Sequence, residues 1–270
     1  MTDAHKNIDR FNGFAGLYDN TRPACPPYVV EVLTRYLGYR PRTVVDMGCG
    51  TGLSTLVWRD AADTIIGVEP NEDMLARATA NAAGAENIVF VSAFSDNTGL
   101  ADGIADIVTC SQSFHWMEPV STLREIDRIL KPGGVFAAYD CDWPPVCGAI
   151  IDAAYQKLDE YVDDIEANVP EYRDGFIGYP KTGHLENIRK SGYFYYVREI
   201  VFANTEPCDA ERYYRFALSQ GGTQVILKRN PALIEAELAA FRAAVDTYFG
   251  DKTLPVDFCY RMRLGVKKGE

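Results

Sequence analysis

The sequence predicts an α/β fold in which helices cover both faces of a mostly parallel β-sheet. Strand-like and helix-like patterns alternate through the first half of the 270-residue chain, which is the order of βαβ units. A glycine-rich turn, VVDMGCGTG at residues 44–52, follows the first of these strands. The second half adds two more strands, at 193–204 and 256–266, which we expect to pair antiparallel at one edge of the sheet.

The elements of the parallel part follow from short apolar segments. The five strands are predicted at residues 43–46, 64–69, 88–92, 105–111 and 134–140. The helices between them are predicted at 53–59, 71–83 and 119–130. Asn71 is suited to cap the second helix, and the sequence KPGG stops the third. With the antiparallel edge pair, these elements predict a Rossmann-like sheet of seven strands.

Beyond Tyr139 the alternation ends. Pro144 and Pro145 interrupt the chain before an amphipathic segment that predicts a helix. In this half, helices are predicted at 149–165, 185–191, 208–219 and 231–249. We interpret the helical segments outside the sheet as an insertion and a lid.

Composition excludes several classes of protein. Hydrophobic residues make up 47% of the chain and charged residues 24%, as in ordinary globular proteins. The net charge of −11 argues against a nucleic-acid partner. Neither a signal peptide nor an apolar run long enough to span a membrane is recognisable, so we expect a cytoplasmic protein with no membrane partner. The seven cysteines are expected to be reduced thiols, and we expect no metal site.

The glycine turn predicts a site for a nucleotide-sized cofactor. Glycines at 48, 50 and 52 let backbone N–H groups approach a ligand closely. The fingerprint of nicotinamide cofactors would need a third glycine at position 53, which is Leu53, and a phosphate-binding P-loop would need a Lys-Ser or Lys-Thr pair. Glu69 ends the second strand, where a carboxylate can accept hydrogen bonds from both hydroxyls of a ribose.

Four segments together resemble the class I S-adenosylmethionine (SAM) dependent methyltransferases. They are VVDMGCGTG, IIGVEPNEDML, ADIVTCSQSFHWM and LREIDRILKPGGVFAAYD, and the resemblance covers roughly residues 10–140. The segment FAGLYDNTRP at 14–23 is similar to the N-terminal element of a subgroup related to trans-aconitate methyltransferases. The resemblance implies SAM as the methyl donor and S-adenosylhomocysteine (SAH) as its product.

The resemblance also implies roles for individual residues. Arg22 suits the carboxylate of the methionine moiety, because a guanidinium pairs with a carboxylate through two hydrogen bonds. The implied cofactor contacts are Tyr18, Arg22, Asp46, Gly48, Cys49, Gly50, Glu69, Pro70, Met74, Ala93, Phe94, Ser111 and Gln112. His115 is a candidate general base for a hydroxyl or amine acceptor. With Trp116 and Trp143 it is also a candidate for the wall of the substrate pocket.

These expectations combine into one functional hypothesis and its rivals. The chain is expected to transfer a methyl group from SAM to a carboxylate, hydroxyl, amine or thiol of a small molecule, as a monomer or homodimer. The alternative is a non-catalytic SAM-binding regulatory or partner protein; an oxidoreductase is disfavoured by Leu53 and the YDxxRP element. The expected domains are a SAM-binding core with an N-terminal covering helix at 1–143, a helical insertion at 144–183, a return helix and strand at 184–204, a helical lid at 205–252 and a last core strand at 253–270.

Overall fold

The computed structural model describes residues 21–169, 172 and 178–269. Its strands are β1 (Thr43–Met47), β2 (Thr64–Val68), β3 (Ile88–Val91), β4 (Ala105–Ser111), β5 (Leu130–Cys141), β6 (Phe194–Cys208) and β7 (Leu254–Lys267). Its α-helices are α1 (Pro27–Leu37), α2 (Leu53–Leu56), α3 (Glu72–Asn81), α4 (Pro119–Ile129), α5 (Ala149–Asn168), α6 (His184–Lys190), α7 (Ala210–Leu218), α8 (Gly221–Arg229) and α9 (Glu235–Phe249).

The seven strands form one sheet in the order β3-β2-β1-β4-β5-β7-β6. β1 pairs in parallel with β2 and β4, β2 with β3, and β4 with β5, whereas β7 runs antiparallel to β5. The predicted fold of five parallel strands with an antiparallel edge pair is therefore confirmed. The strand order reverses between β1 and β4, and an open α/β sheet binds its ligand at the carboxyl ends of the strands next to such a reversal.

The central strands are continuous apolar segments in the sequence because they lie in the core. β1, β2, β4 and β5 are buried along most of their length, because helices cover the sheet. On one face, α4 packs Leu123 and Ile126 against the sheet. These side chains are three residues apart and therefore lie on one stripe of the helix.

Several elements differ from their predicted bounds: α2 ends at Leu56 rather than at residue 59, β6 ends at Cys208 rather than at 204, and α9 begins at Glu235 rather than at 231. β5 begins at Leu130 rather than at residue 134, with an irregularity in its pairing to β4 between Ala105 and Ile107. α8 was not predicted, because Gly221 and Gly222 are weak helix formers. Glycine is required there by packing: a Cβ on Gly222 would lie 2.7 Å from Cγ1 of Val162 in α5.

The described residues divide into two compact units. One contains residues 24–141, 178–202 and 260–269, which include the parallel strands. The other contains 21–23, 142–169, 172 and 203–259, in which α5, α7, α8 and α9 pack together. The finer domain boundaries expected from the sequence stay a prediction. Within the described ranges, no helix combines the length and apolar character that crossing a membrane requires.

Candidate functional site

The glycine turn, residues 48–52, has the backbone conformation that its sequence suggests. Gly48, Gly50 and Gly52 all have positive φ angles, of 66°, 55° and 84°. The N–H groups of Gly48 and Cys49 both donate to the carbonyl of Val68 on β2, at 2.8 and 3.1 Å. The turn is thus tied to the neighbouring strand by its own backbone.

Two of these glycines serve different purposes. A Cβ on Gly48 would lie 2.7 Å from both Cε of Met117 and Cβ of Ser113, so protein packing excludes a side chain there. A Cβ on Gly50 would meet no atom within 4 Å. Gly50 therefore faces open space, as is expected where a ligand approaches the backbone.

Asp46 stabilises the segments on both sides of the glycine turn through hydrogen bonds. Its carboxylate is fully buried and accepts hydrogen bonds from the hydroxyls of Ser54 at 2.7 Å, Thr55 at 2.8 Å and Thr109 at 2.8 Å. Burial raises the pKa of Asp46, and the three hydroxyl groups oppose that rise. The hydrogen bonds join β1 to α2 and β4, so the side chain supports the turn; its direct contact with a cofactor stays a prediction.

Glu69 follows β2 and contacts the glycine turn directly. Its Oε2 accepts from the N–H of Gly50 at 3.0 Å, and its Oε1 accepts from the N–H of Asn71 at 2.9 Å. Burial raises the pKa of Glu69, while these two backbone hydrogen bonds lower it. A carboxylate oxygen has two lone pairs, so each oxygen can accept one further hydrogen bond.

The remaining predicted adenine contacts follow β2 and β3, in the loops and in the first turn of α3. Pro70 is partly buried, and Met74 is buried in the first turn of α3, where its N–H donates to Oδ1 of Asn71. Ala93 and Phe94, both partly buried, follow β3. Their contact with a cofactor stays a prediction.

The segment after β4 has a strained backbone. Gln112 has a φ of 54°, the only positive value among the described residues other than glycine, and its N–H donates to the carbonyl of Tyr139 at 2.9 Å. Ser113 donates its hydroxyl to the carbonyl of Met47 at 2.8 Å, whereas Ser111 ends β4 and is partly exposed. Strained residues held by surrounding hydrogen bonds are typical of functional sites.

His115 lies one turn further, in the 3₁₀ helix Phe114–Trp116. Its ring centroid is 4.7 Å from that of Trp116, and its backbone carbonyl accepts from the N–H of Tyr179 at 2.8 Å. Its Nδ1 lies 3.3 Å from Oδ1 of Asp140, a buried residue near the carboxyl end of β5.

Asp140 is the centre of a group that sequence reasoning missed, the Asp140 cluster. Its members are His115, Asp140, Lys181, His184 and Arg263. Lys181 Nζ lies 3.3 Å from Oδ1 of Asp140, and Arg263 donates to Oδ2 at 3.2 Å. Burial alone would raise the pKa of Asp140, but its interactions with His115, Lys181 and His184 hold it well below the usual range.

Two predicted residues belong to the unit of helices. Arg22 donates to the carbonyl of Ser219 at 2.9 Å and to Oε1 of Gln220 at 3.3 Å, with its guanidinium 4.9 Å from the centroid of the Trp143 ring. Trp143 itself packs among aromatic rings, with Tyr155 at 6.3 Å. The carboxylate partner expected for Arg22 stays a prediction, and Tyr18 lies outside the described residues.

The residues at the glycine turn fit the methyl donor that the motifs implied. Open space in front of Gly50 adjoins the carboxylate of Glu69, whose remaining lone pairs suit two ribose hydroxyls. Cys49 is buried within the turn, and burial raises the pKa of its thiol, so it stays uncharged beside the site.

Comparison with known proteins gives a consistent result. Residues 45–138 match the family model of a methyltransferase domain. An uncharacterized methyltransferase of Mycobacterium bovis is 30% identical over 135 residues, which are 50% of this chain and 53% of that protein. Trans-aconitate 2-methyltransferase of Acidovorax sp. is 37% identical over 123 residues, 44% of each protein. The chain thus spans about half the length of these curated relatives.

The fold is shared over a longer range than the sequence. A putative type II methyltransferase of Anaeromyxobacter dehalogenans superposes with a TM-score of 0.68 at 20% identity. The match covers 92% of this chain and 99% of that one. At this identity the similarity establishes the fold.

Proposed function

We propose that this chain, whose residues 45–138 match the family model of a methyltransferase domain, transfers the methyl group of SAM to a small-molecule acceptor. The observation that carries the proposal is the link between Gly50 and Glu69. The N–H of Gly50 donates to Glu69 at 3.0 Å, and open space lies in front of Gly50. This arrangement places a hydrogen-bond acceptor for a ribose beside a backbone that a ligand can approach.

The chain's own residues would bind and orient the methyl donor. Glu69 accepts hydrogen bonds from the ribose hydroxyls, while Pro70, Met74, Ala93 and Phe94 lie beside the adenine. Gly48, Cys49 and Gly50 line the methionine end by their backbone, Asp46 supports them, and Tyr18 and Arg22 take the amino-acid end. Ser111 and Gln112 lie nearest the transferred methyl group.

Bound SAM would supply a methyl group carried on a sulfonium. The acceptor would attack the methyl carbon from the side opposite the departing sulfur. The protein contributes orientation and exclusion of water, and orientation of two reactants is worth about 7–11 kcal/mol in favourable cases. No nucleophilic side chain is required for this reaction. The site therefore needs side chains that enclose the acceptor and exclude water. We assign this role to His115, Trp116 and Trp143.

Two features support a small acceptor. The net charge of −11 disfavours a polyanionic partner. One of the similar proteins is named a trans-aconitate 2-methyltransferase, after a small acid. Small acids are therefore the first acceptors to assay, and the protein is proposed to act as a monomer or homodimer.

Titration calorimetry of the full chain with SAM tests the proposal. We expect a micromolar dissociation constant that rises at least tenfold in Glu69→Ala, since hydrogen bonds to a charged group contribute about 1.5–3 kcal/mol each. The matched control is Glu72→Ala, because Glu72 is exposed three residues away in the first turn of α3. The dissociation constant of Glu72→Ala for SAM should stay within about twofold of the wild-type value, a difference on the order of 0.4 kcal/mol.

Circular dichroism melts show whether each variant is folded before its affinity is interpreted. Unchanged SAM affinity in folded Glu69→Ala would remove the assigned ribose contact. Absence of SAM binding by the wild-type protein would remove the proposed function. Formation of SAH only when an acceptor is added would count against a non-catalytic binding protein.

A further inference from the structure

We propose that Lys181 binds a carboxylate of the acceptor that is not the group to be methylated, and that the acceptor is therefore a small acid with a second nucleophilic group. This inference rests on the proposed function and deepens it, because it names the class of acceptor. Lys181 determines which acceptor is bound and takes no part in the transfer itself.

Lys181 lies beside the acceptor side of the site. It begins the 3₁₀ helix Lys181–Gly183, which precedes α6. Two residues earlier, the N–H of Tyr179 donates to the carbonyl of His115 at 2.8 Å and joins this segment to the one that follows β4. Nζ of Lys181 and Nδ1 of His115 both lie 3.3 Å from Oδ1 of Asp140, so the ammonium and the imidazole are close neighbours. These residues belong to the same compact unit as the glycine turn.

The charged side chains around Asp140 carry more positive than negative charge. Arg263 donates to Oδ2 of Asp140 at 3.2 Å and to Glu199 at 3.1 Å. Glu199 accepts a further hydrogen bond from Arg261 at 3.0 Å. Lys181 thus adds a third cation to two carboxylates, in a chain whose net charge is −11. A local excess of positive charge attracts an anionic ligand.

The ammonium of Lys181 is available to such a ligand. Its side chain is 37% exposed, whereas those of Asp140 and Arg263 are 2% and 5% exposed. Its ion pair with Asp140 is not a hydrogen bond, since Oδ1 of Asp140 has no hydrogen-bond partner among the described residues. An ammonium has three N–H donors. Lys181 can therefore donate to a carboxylate while it stays beside Asp140.

The carboxylate at Lys181 orients the acceptor, and a second group receives the methyl. An ammonium that binds a carboxylate engages the oxygen lone pairs that an attack on SAM would need. Where the second group is also a carboxylate, one of its oxygens forms a bond to the methyl carbon. The bond from that carbon to sulfur breaks and its electron pair stays on sulfur, so the products are a methyl ester and neutral SAH. No proton is transferred in this step.

A metal ion is the competing ligand of this cluster. One ligand atom each of His115, Asp140 and His184 lie within 4.8 Å of one another. However, Lys181 and Arg263 place positive charge 3.3 and 3.2 Å from the two oxygens of Asp140. These charges repel a divalent cation and attract an anion, so they favour a carboxylate as the ligand.

Titration calorimetry of trans-aconitate into the SAH-loaded full chain tests the inference without turnover. Trans-aconitate is a small acid with several carboxylates. We expect a dissociation constant below about 1 mM that rises about tenfold in Lys181→Met, because a charge-assisted hydrogen bond is lost. Lys181→Arg keeps the charge and should bind within about threefold of the wild-type protein. The control is Lys190→Met, which removes a side chain that is 74% exposed on α6 and should leave the dissociation constant unchanged.

An SAH-release assay tests which group is methylated. We expect kcat/KM for trans-aconitate to fall about tenfold in Lys181→Met, chiefly through KM, because the lost contact binds substrate and transition state alike. Crotonate has a single carboxylate, which cannot be bound by Lys181 and methylated at once. Its kcat/KM should be lower than that of trans-aconitate and should not fall in Lys181→Met.

Absence of trans-aconitate binding to the SAH-loaded wild-type protein at about 10 mM would overturn the inference. Unchanged affinity in folded Lys181→Met, an equal loss with crotonate, or turnover of catechol in preference to both acids would do the same. Loss of trans-aconitate binding after treatment with EDTA would also overturn it, because a metal ion would then hold the acid. Each of these results leaves the proposed function intact, whereas failure of the wild-type protein to bind SAM would overturn the proposed function itself.

Discussion

The glycine turn follows β1, the Asp140 cluster lies at the carboxyl ends of β4 and β5, and the two are built in opposite ways. The glycine turn is one continuous segment, and its backbone N–H groups contact Val68 and Glu69. The cluster assembles side chains from three separate segments around one carboxylate. A site formed by the backbone of one segment is determined by the local sequence and leaves little room for side chains. A site formed by charged side chains depends on each residue that neutralises the central carboxylate.

The largest effect is expected from the buried cation of the cluster. Arg263→Met leaves Asp140 buried without the buried cation at its Oδ2, which should lower the free energy of unfolding by about 3–5 kcal/mol. Lys181→Met removes a side chain that is 37% exposed and should cost less than about 1 kcal/mol. Urea denaturation measures both. A smaller cost for Arg263→Met than for Lys181→Met would show that buried charge pairing does not hold the cluster together.

Asp46→Ala tests the support below the glycine turn. It leaves the hydroxyls of Ser54, Thr55 and Thr109 without their acceptor, and an unsatisfied buried group costs about 1–3 kcal/mol. We expect a loss of about 3 kcal/mol in urea denaturation, with the exposed Asp60→Ala as the control within about 0.5 kcal/mol. A cost below about 1 kcal/mol for Asp46→Ala would mean that the turn does not depend on this carboxylate.

His184 should make the cluster sensitive to acid. Burial lowers its pKa from 6.5 to about 4, while Asp140 raises it and Arg263, His115 and Lys181 lower it. The unfolded chain therefore binds the proton more tightly, so stability falls as pH decreases from about 6.5 towards 4. The shift corresponds to about 3 kcal/mol at most.

His184→Gln removes this titration. Unfolding free energies of the two proteins, measured at several pH values, should show a shallower decline for the variant between pH 6.5 and 4. Parallel pH profiles would contradict a neutral, buried His184. The glycine turn contains no histidine, so a loss of stability that follows the protonation of a buried imidazole belongs to the cluster.

The same contrast explains what the sequence could predict. Gly48, Gly50 and Glu69 were identifiable because their spacing along the chain follows from one strand-turn-helix unit and the next strand. The fold followed from the alternation of apolar segments, although α8 was missed because packing against Val162, not helix propensity, requires its Gly222.

The Asp140 cluster could not be predicted in this way. His115 was found as a candidate, but the other members come from distant segments. The pairing of β5 with β7 brings Arg263 to the cluster, and Lys181 and His184 lie in the 3₁₀ helix before α6 and at the start of α6. Asp140 ends an apolar segment much as Asp46 does, and the residues beside it in sequence say nothing about the charges that face it. The available signal was its position near the carboxyl end of β5.

The central claim is that the glycine turn and Glu69 hold SAM, and a crystal structure of the full chain with SAH tests it most directly. The account predicts that both ribose hydroxyls lie within about 3 Å of the Glu69 carboxylate, with the methionine moiety in front of Gly50. A ribose bound by another residue, or SAH bound away from the glycine turn, would contradict it.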